Sequence, residues 1–125
     1  MIKILIVDDD PFVRDMTELI LQSAGYEAET AGSGPEALGK FGKGSGFQVV
    51  ISDMNMPEMD GLALIRELRK ISPETAAILM TGDEDAGLAA SGADACVVKD
   101  GDLQDKIASV VEAVIMKKGF QGPIR

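Results

Sequence analysis

Three aspartates, Asp8, Asp9 and Asp10, stand together directly after MIKILIV, in which Lys3 is the one charged residue. A fourth, Asp53, follows the apolar stretch FQVVIS at 47–52. Thr81 closes AAILMT (76–81), and Lys99 closes ADACVVK (93–99). Three carboxylates within a few ångströms of one another cannot all stay ionised without a cation. Lys99 carries one positive charge, too little for three carboxylates. Asp8, Asp9 and Asp53 therefore call for a hard divalent ion. Mg2+ takes carboxylate and water oxygens in an octahedron and often bridges to phosphate. The ammonium of Lys99 and the hydroxyl of Thr81 are groups that bind the oxygens of a phosphoryl group. A carboxylate beside such a metal can be the nucleophile that receives it. Asp53 suits that role because it stands alone after a central apolar run. Asp8 and Asp9 are paired, as metal ligands are. Asp10 reads differently: with Pro11 behind it, it is a helix N-cap.

These residues can meet only if the apolar runs are neighbouring strands. IKILIV (2–7), FQVVIS and AAILMT are short, continuous and rich in β-branched residues, the pattern of strands buried on both faces. YEAET (26–30) alternates and predicts a strand near an edge, and ADACVVK predicts a fifth. Helices are predicted from Pro11 to before Gly25, from Ser33-Gly34-Pro35-Glu36 onward, after Asp60-Gly61 up to Pro73, and over 103–118 ending at Gly119. Residues 83–91 leave room for a short helix. Five alternations of strand and helix predict an α/β fold with a parallel sheet covered on both faces. In such a sheet ligands bind outside the carboxyl ends of the strands, where all the residues above are expected. Gly32-Ser33-Gly34-Pro35-Glu36-Ala37 matches the dinucleotide fingerprint GxGxxA, but a capped helix start with proline explains it better.

The chain has 125 residues, which predicts one domain over 1–118 and a loose tail over 119–125. Its net charge of −9 and pI near 4.4 argue against binding nucleic acid or anionic membrane. With no histidine, His-based metal sites and Ser-His-Asp triads are excluded. Cys96 is the one cysteine, so no internal disulfide can form, and it reads as a small buried apolar residue. No run approaches the roughly 20 apolar residues of a membrane span, and no signal peptide is evident at the N-terminus, so a cytoplasmic location is expected.

VDDD, ISDMNMPEMDG, MTG and VVKD, in this order and each at an expected strand end, resemble the receiver domains of bacterial two-component response regulators. The resemblance runs from residue 1 to about 118 and includes the single-domain chemotaxis type. It implies a flavodoxin-like, doubly wound five-stranded parallel sheet with five helices. It implies that Asp53 accepts a phosphoryl group, that Asp8 and Asp9 hold Mg2+, and that the backbone carbonyl of Asn55 also ligates it. Thr81 matches the switch hydroxyl, Lys99 the lysine that pairs with a phosphoryl oxygen, and Met56, Pro57 and Gly61 the turn after the phosphorylation site. Asn55 and Asp83 match positions that tune hydrolysis of the aspartyl phosphate. The implied donor is a histidine kinase or a phosphohistidine transfer protein, and output is by contact with an unidentified downstream protein from a monomer or weak dimer. Such a chain phosphorylates and dephosphorylates itself and is not a turnover enzyme. A phosphatase of haloacid dehalogenase type with Asp8 as nucleophile, and a receiver-like scaffold that is never phosphorylated, are the alternatives. Two positions depart from the family pattern. Cys96 replaces an aromatic residue that swings inward on phosphorylation, and Asp100 replaces a proline after the lysine.

Overall fold

The computed structural model describes residues 2–42, 45–82 and 92–119. They form β1 (Lys3–Val7), α1 (Pro11–Ser23), β2 (Glu27–Ala31), α2 (Gly34–Lys40), β3 (Val49–Asp53), α3 (Gly61–Ile71), β4 (Ala76–Thr81), β5 (Ala95–Val98) and α4 (Leu103–Lys118). The described residues hold four of the five expected helices. The short helix expected within 83–91, Asp83 itself, and residues 120–125 of the tail lie outside them.

All five strands are parallel, in the order β2-β1-β3-β4-β5. The alternation along β1 shows why the central runs are apolar throughout. Ile4 and Ile6 enter one core, against α1 and α4; Leu5 and Val7 enter the other, with residues of α2 and α3. Burying each such side chain is worth roughly 1.5–3 kcal/mol. A polar residue in mid-strand would forfeit that on a face with no water, so polar groups collect at the strand ends. β2 lies at an edge, as its alternation predicts, and keeps Glu27 exposed.

The helix starts form as their cap residues dictate. Asp10 has extended backbone (φ −87°, ψ 110°), and its Oδ1 accepts from the Phe12 N–H at 2.9 Å with Pro11 opening the helix. Ser33 Oγ accepts from the Glu36 N–H at 3.1 Å, and Glu36 Oε1 accepts from the Gly32 N–H at 3.1 Å. Both bonds serve a seven-residue helix, so the GxGxxA pattern is accounted for by capping. Asp60 Oδ1 accepts from the Ala63 N–H at 2.9 Å. Gly119 ends α4 in the left-handed conformation at φ 79°, which glycine adopts at no steric cost.

β3 and β5 each begin two residues into their apolar runs, for different reasons. Phe47 precedes β3 and is used for packing: its ring lies 5.1 Å from that of Phe41, with Lys3 Nζ 4.6 Å above it. Asp94 precedes β5 and is a junction. Its Oδ2 accepts from the Ala77 N–H at 2.8 Å and from Arg69 Nη2 at 3.1 Å, and its Oδ1 lies 3.2 Å from Lys118 Nζ. Arg69 also donates to the carbonyls of Thr75 (2.6 Å) and Gly92 (2.9 Å). The ends of α3 and α4 are thus tied to the entry of β5, at the edge of the sheet remote from Asp53.

Partial burial works against the Asp94 carboxylate. The Ala77 N–H, Arg69 and Lys118 outweigh it and hold its pKa below the usual carboxylate range. An acid whose pKa is lowered on folding contributes stability above its unfolded value, near 3.9, and loses it as pH falls through the folded value. Asp94→Asn is expected to cost about 1.5–3 kcal/mol at pH 7, the range for a hydrogen bond to charged groups. In urea unfolding the gap from wild type should be constant above about pH 5 and close below pH 4. A gap that persists at low pH would show that the charge is not what stabilises the junction.

Candidate functional site

The parallel strands deliver their C-terminal residues to one edge. The chain leaves β1 toward β2 on one side, whereas β3 pairs on the other, so a crevice opens between β1 and β3. Val7 pairs with Ser52, which sets Asp8 and Asp53 side by side beyond the pairing. Thr81 pairs with Val98, and its carbonyl accepts from the Lys99 N–H at 2.8 Å, so Lys99 follows directly beside Thr81. Asp8, Asp53 and Thr81 are buried, and Asp9 is exposed.

Asp8 is held at every polar group. Its N–H donates to the Ala31 carbonyl at 3.2 Å, and its own carbonyl accepts from Arg14 Nη1 at 2.9 Å. Its Oδ1 accepts from the Asp10 N–H and its Oδ2 from Lys99 Nζ, both at 2.9 Å. Lys99 Nζ lies 3.4 Å from Asp53 Oδ2, so one ammonium bridges two carboxylates. Asp53 Oδ1 receives a long contact, 3.4 Å, from the Asn55 N–H. One carboxylate oxygen from each of Asp8, Asp9 and Asp53 lies within 4.8 Å of the others.

The electrostatics follow from this crowding. Burial, and then the charge of Asp8, push the Asp53 carboxyl above the usual range, although Lys99 and the Asn55 N–H pull it down. Burial opposes the charge on Lys99. The hydrogen bond and charge of Asp8, with those of Asp53, outweigh it and raise its pKa. The cluster is under-neutralised by its own residues. Its donors are carboxylate oxygens, the type that a hard divalent ion takes, and so they fit Mg2+.

The loop after Asp53 is shaped by backbone. The Met54 N–H donates to Met80 O at 2.8 Å, and the Gly61 N–H donates back to Met54 O at 2.9 Å. The Met59 N–H donates to Pro57 O at 2.7 Å across Glu58, whose φ is +69°. This is a three-residue γ-turn of the rare, strained hand. Asn55 is exposed. Met54, Met56 and Met59 pack onto the core beneath α2 and α3, so the methionines fill space at the rim.

The structure brings together the sequence-predicted Asp8, Asp9, Asp53, Thr81 and Lys99, with Asn55 adjoining. Asp10 stands apart as the helix cap. Cys96 lies on β5 against the core on the α2–α3 side, where burial pushes its thiol above the ordinary value. A neutral thiol suits a packing role. Asp100 is exposed, and its carboxyl is held below the usual range, first by the Asp102 N–H at 2.9 Å and then by Lys106. No peptide bond among the described residues is cis, so that between Lys99 and Asp100 is trans. Sequence reasoning missed Arg14. The one available signal was its position one helical turn after the Asp10 cap, on the same face as the loop.

Residues 4–111 match the family described as response regulator receiver domain. The chain belongs to this family. Among curated relatives, a transcriptional regulatory protein, TrcR of Mycobacterium tuberculosis, is 33% identical over 86% of this chain and 43% of its own length. The receiver spans about half the length or less of the first curated relatives it matches. Among solved structures, the chemotaxis response regulator CheY4 of Vibrio cholerae is 36% identical with a TM-score of 0.82, covering 91% of this chain and 98% of that one. The response regulator TrrA of Thermotoga maritima, solved with Mg2+ and BeF, is 36% identical with a TM-score of 0.79, over 91% and 99%. The flavodoxin-like parallel sheet is therefore that of the receiver family. No helix among the described residues is long and apolar enough to cross a membrane.

Gly61 is indispensable to the site's shape. A Cβ there would stand 2.6 Å from Asp53 O, 2.7 Å from Leu79 Cδ2 and 3.1 Å from Met54 Cα. Gly61→Ala is expected to destabilise the receiver by about 1–3 kcal/mol through overpacking. It should also shift the amide resonances of Asp53 and Met54, since the methyl group meets the backbone of both as well as the Leu79 side chain. Wild-type stability and spectra in this variant would refute the close approach.

Proposed function

We propose that this receiver accepts a phosphoryl group on Asp53 from the phosphohistidine of a histidine kinase or phosphotransfer protein, in a Mg2+-dependent reaction. The observation that carries it is the bridging of Asp8 and Asp53 by Lys99, with Asp9 within carboxylate reach. Asp8, Asp9, Asp53 and the Asn55 carbonyl are the groups that would hold the ion. When bound, Mg2+ supplies the missing neutralisation and draws charge from the phosphoryl oxygens. A carboxylate oxygen of Asp53 attacks phosphorus, the P–N bond breaks, and the imidazole departs with its electron pair and takes up a proton. Lys99 is already within reach of Asp53 and pairs with a phosphoryl oxygen, while the Thr81 hydroxyl hydrogen-bonds to another. Ion pairing and hydrogen bonding at the strand ends then favour a second arrangement of the surrounding loops, read by a downstream protein. The domain turns over no external substrate as an enzyme does. With Cys96 on β5, the response involves Thr81 and no inward swing of a ring.

Incubation with a small phosphodonor and Mg2+ should raise the intact mass by one phosphoryl group, mapped to Asp53 and abolished in Asp53→Asn. Phosphate on Asp8, or no mass increase with any donor, would overturn the assignment. The three consecutive aspartates should also separate. Asp9→Ala should weaken Mg2+ binding and phosphorylation, whereas Asp10→Ala should mainly cost about 1 kcal/mol of stability. Equal loss of metal in both variants would contradict that division.

A further inference from the structure

Every polar group of Asp8 is engaged, but Asp9 is exposed, and no hydrogen bond or ion pair holds its side chain among the described residues. Its carboxylate can enter the crevice only if the peptide between Asp8 and Asp9 is correctly turned. That peptide's oxygen is the Asp8 carbonyl, and Arg14 Nη1 holds it at 2.9 Å. Arg14 sits on α1, whose start is fixed by the Asp10 cap, so the helix braces the loop that leads into it. The guanidinium is confined from the other side. A Cβ on Gly32 would lie 3.1 Å from Arg14 Nη1 and 3.5 Å from Glu36 Oε1, so a glycine at the end of β2 leaves the room that Arg14 occupies.

We propose that Arg14 is a positioning residue for the metal site: it fixes the Asp8–Asp9 peptide and thereby aims Asp9 at the ion, with Gly32 as the space it requires. This rests on the Mg2+ reading above. It is separable from a plain charge effect by sign. Arg14 is a cation near a cation site, so by Coulomb's law alone its removal strengthens Mg2+ binding. A positioning role predicts the reverse. Loss of outer groups that orient metal ligands typically weakens affinity 10–100-fold.

The test is calorimetric titration of MgCl2 into wild type, Arg14→Ala, Arg14→Lys and Gly32→Ala, without phosphodonor, each first shown to be folded by its thermal transition. Arg14→Ala is expected to bind Mg2+ about tenfold more weakly, and Arg14→Lys, which keeps a donor, to recover most of that. Gly32→Ala keeps the charge and crowds the guanidinium, so a smaller loss in the same direction is expected. Amide exchange at Asp10, whose N–H is bonded to Asp8 Oδ1, should speed up in metal-free Arg14→Ala. Unchanged or tighter Mg2+ binding in Arg14→Ala, with normal wild-type binding, would overturn the proposal alone. Failure of the wild type to bind Mg2+ would sink the metal reading, and the proposal with it.

Discussion

One ammonium between two carboxylates, with a third close by, sets the terms for the rest of the molecule. Lys99 Nζ stands 2.9 Å from Asp8 and 3.4 Å from Asp53, and it is the cation that the described residues bring to both. The charge sum is negative, and burial at Asp8 and Asp53 makes that costly. The excess persists because strong elements on every side hold the groups in place. Asp8 and Asp53 end two central strands, Lys99 follows an edge strand, and Arg14 of α1 with neighbouring backbone occupies the remaining hydrogen-bonding groups of Asp8. A cluster fully neutralised by its own residues would attract a metal cation less strongly. This one is left partly unsatisfied in a rigid frame.

The frame itself follows from two-sided burial. Strands with apolar residues at every position require helices on both faces, and parallel pairing requires crossover connections. Together these send every strand's C-terminal end to one edge. Polar residues excluded from the strand interiors then appear there in concentrated form. The opposite edge needs polar anchoring of another kind, and Asp94, Arg69 and Lys118 supply it. Those carboxylate and guanidinium groups are paired with one another, in contrast to the under-neutralised site.

Much of this could be read from the chain. The apolar runs marked the strands, Asp10-Pro11, Ser33 and Asp60 marked helix starts, and Gly119 marked an end. The charged residues stood out because each directly followed an apolar run. Boundaries were less visible where a residue serves tertiary packing. Phe47 and Asp94 looked like strand positions because one is aromatic and the other adjoins a β-rich run. Phe41 draws the first out of the strand, and Arg69 with Lys118 draws the second. Arg14 gave no sign of its contact, because the partner is a backbone carbonyl, which every residue carries and no sequence pattern reports.

By itself the sequence determined the kinds of element and which residues stand at their ends, because periodicity, capping chemistry and turn residues act over a few neighbours. It also set the charge imbalance, which is a matter of composition. The tertiary structure decided which strand ends are adjacent, and with that the pairing of Asp8 with Lys99 across 91 positions of chain. It decided too that Gly61 lies against the Asp53 backbone and that Gly32 makes room for Arg14. These are questions of distance between residues remote in sequence. They are settled by strand order and by how two cores pack, and no local rule contains them.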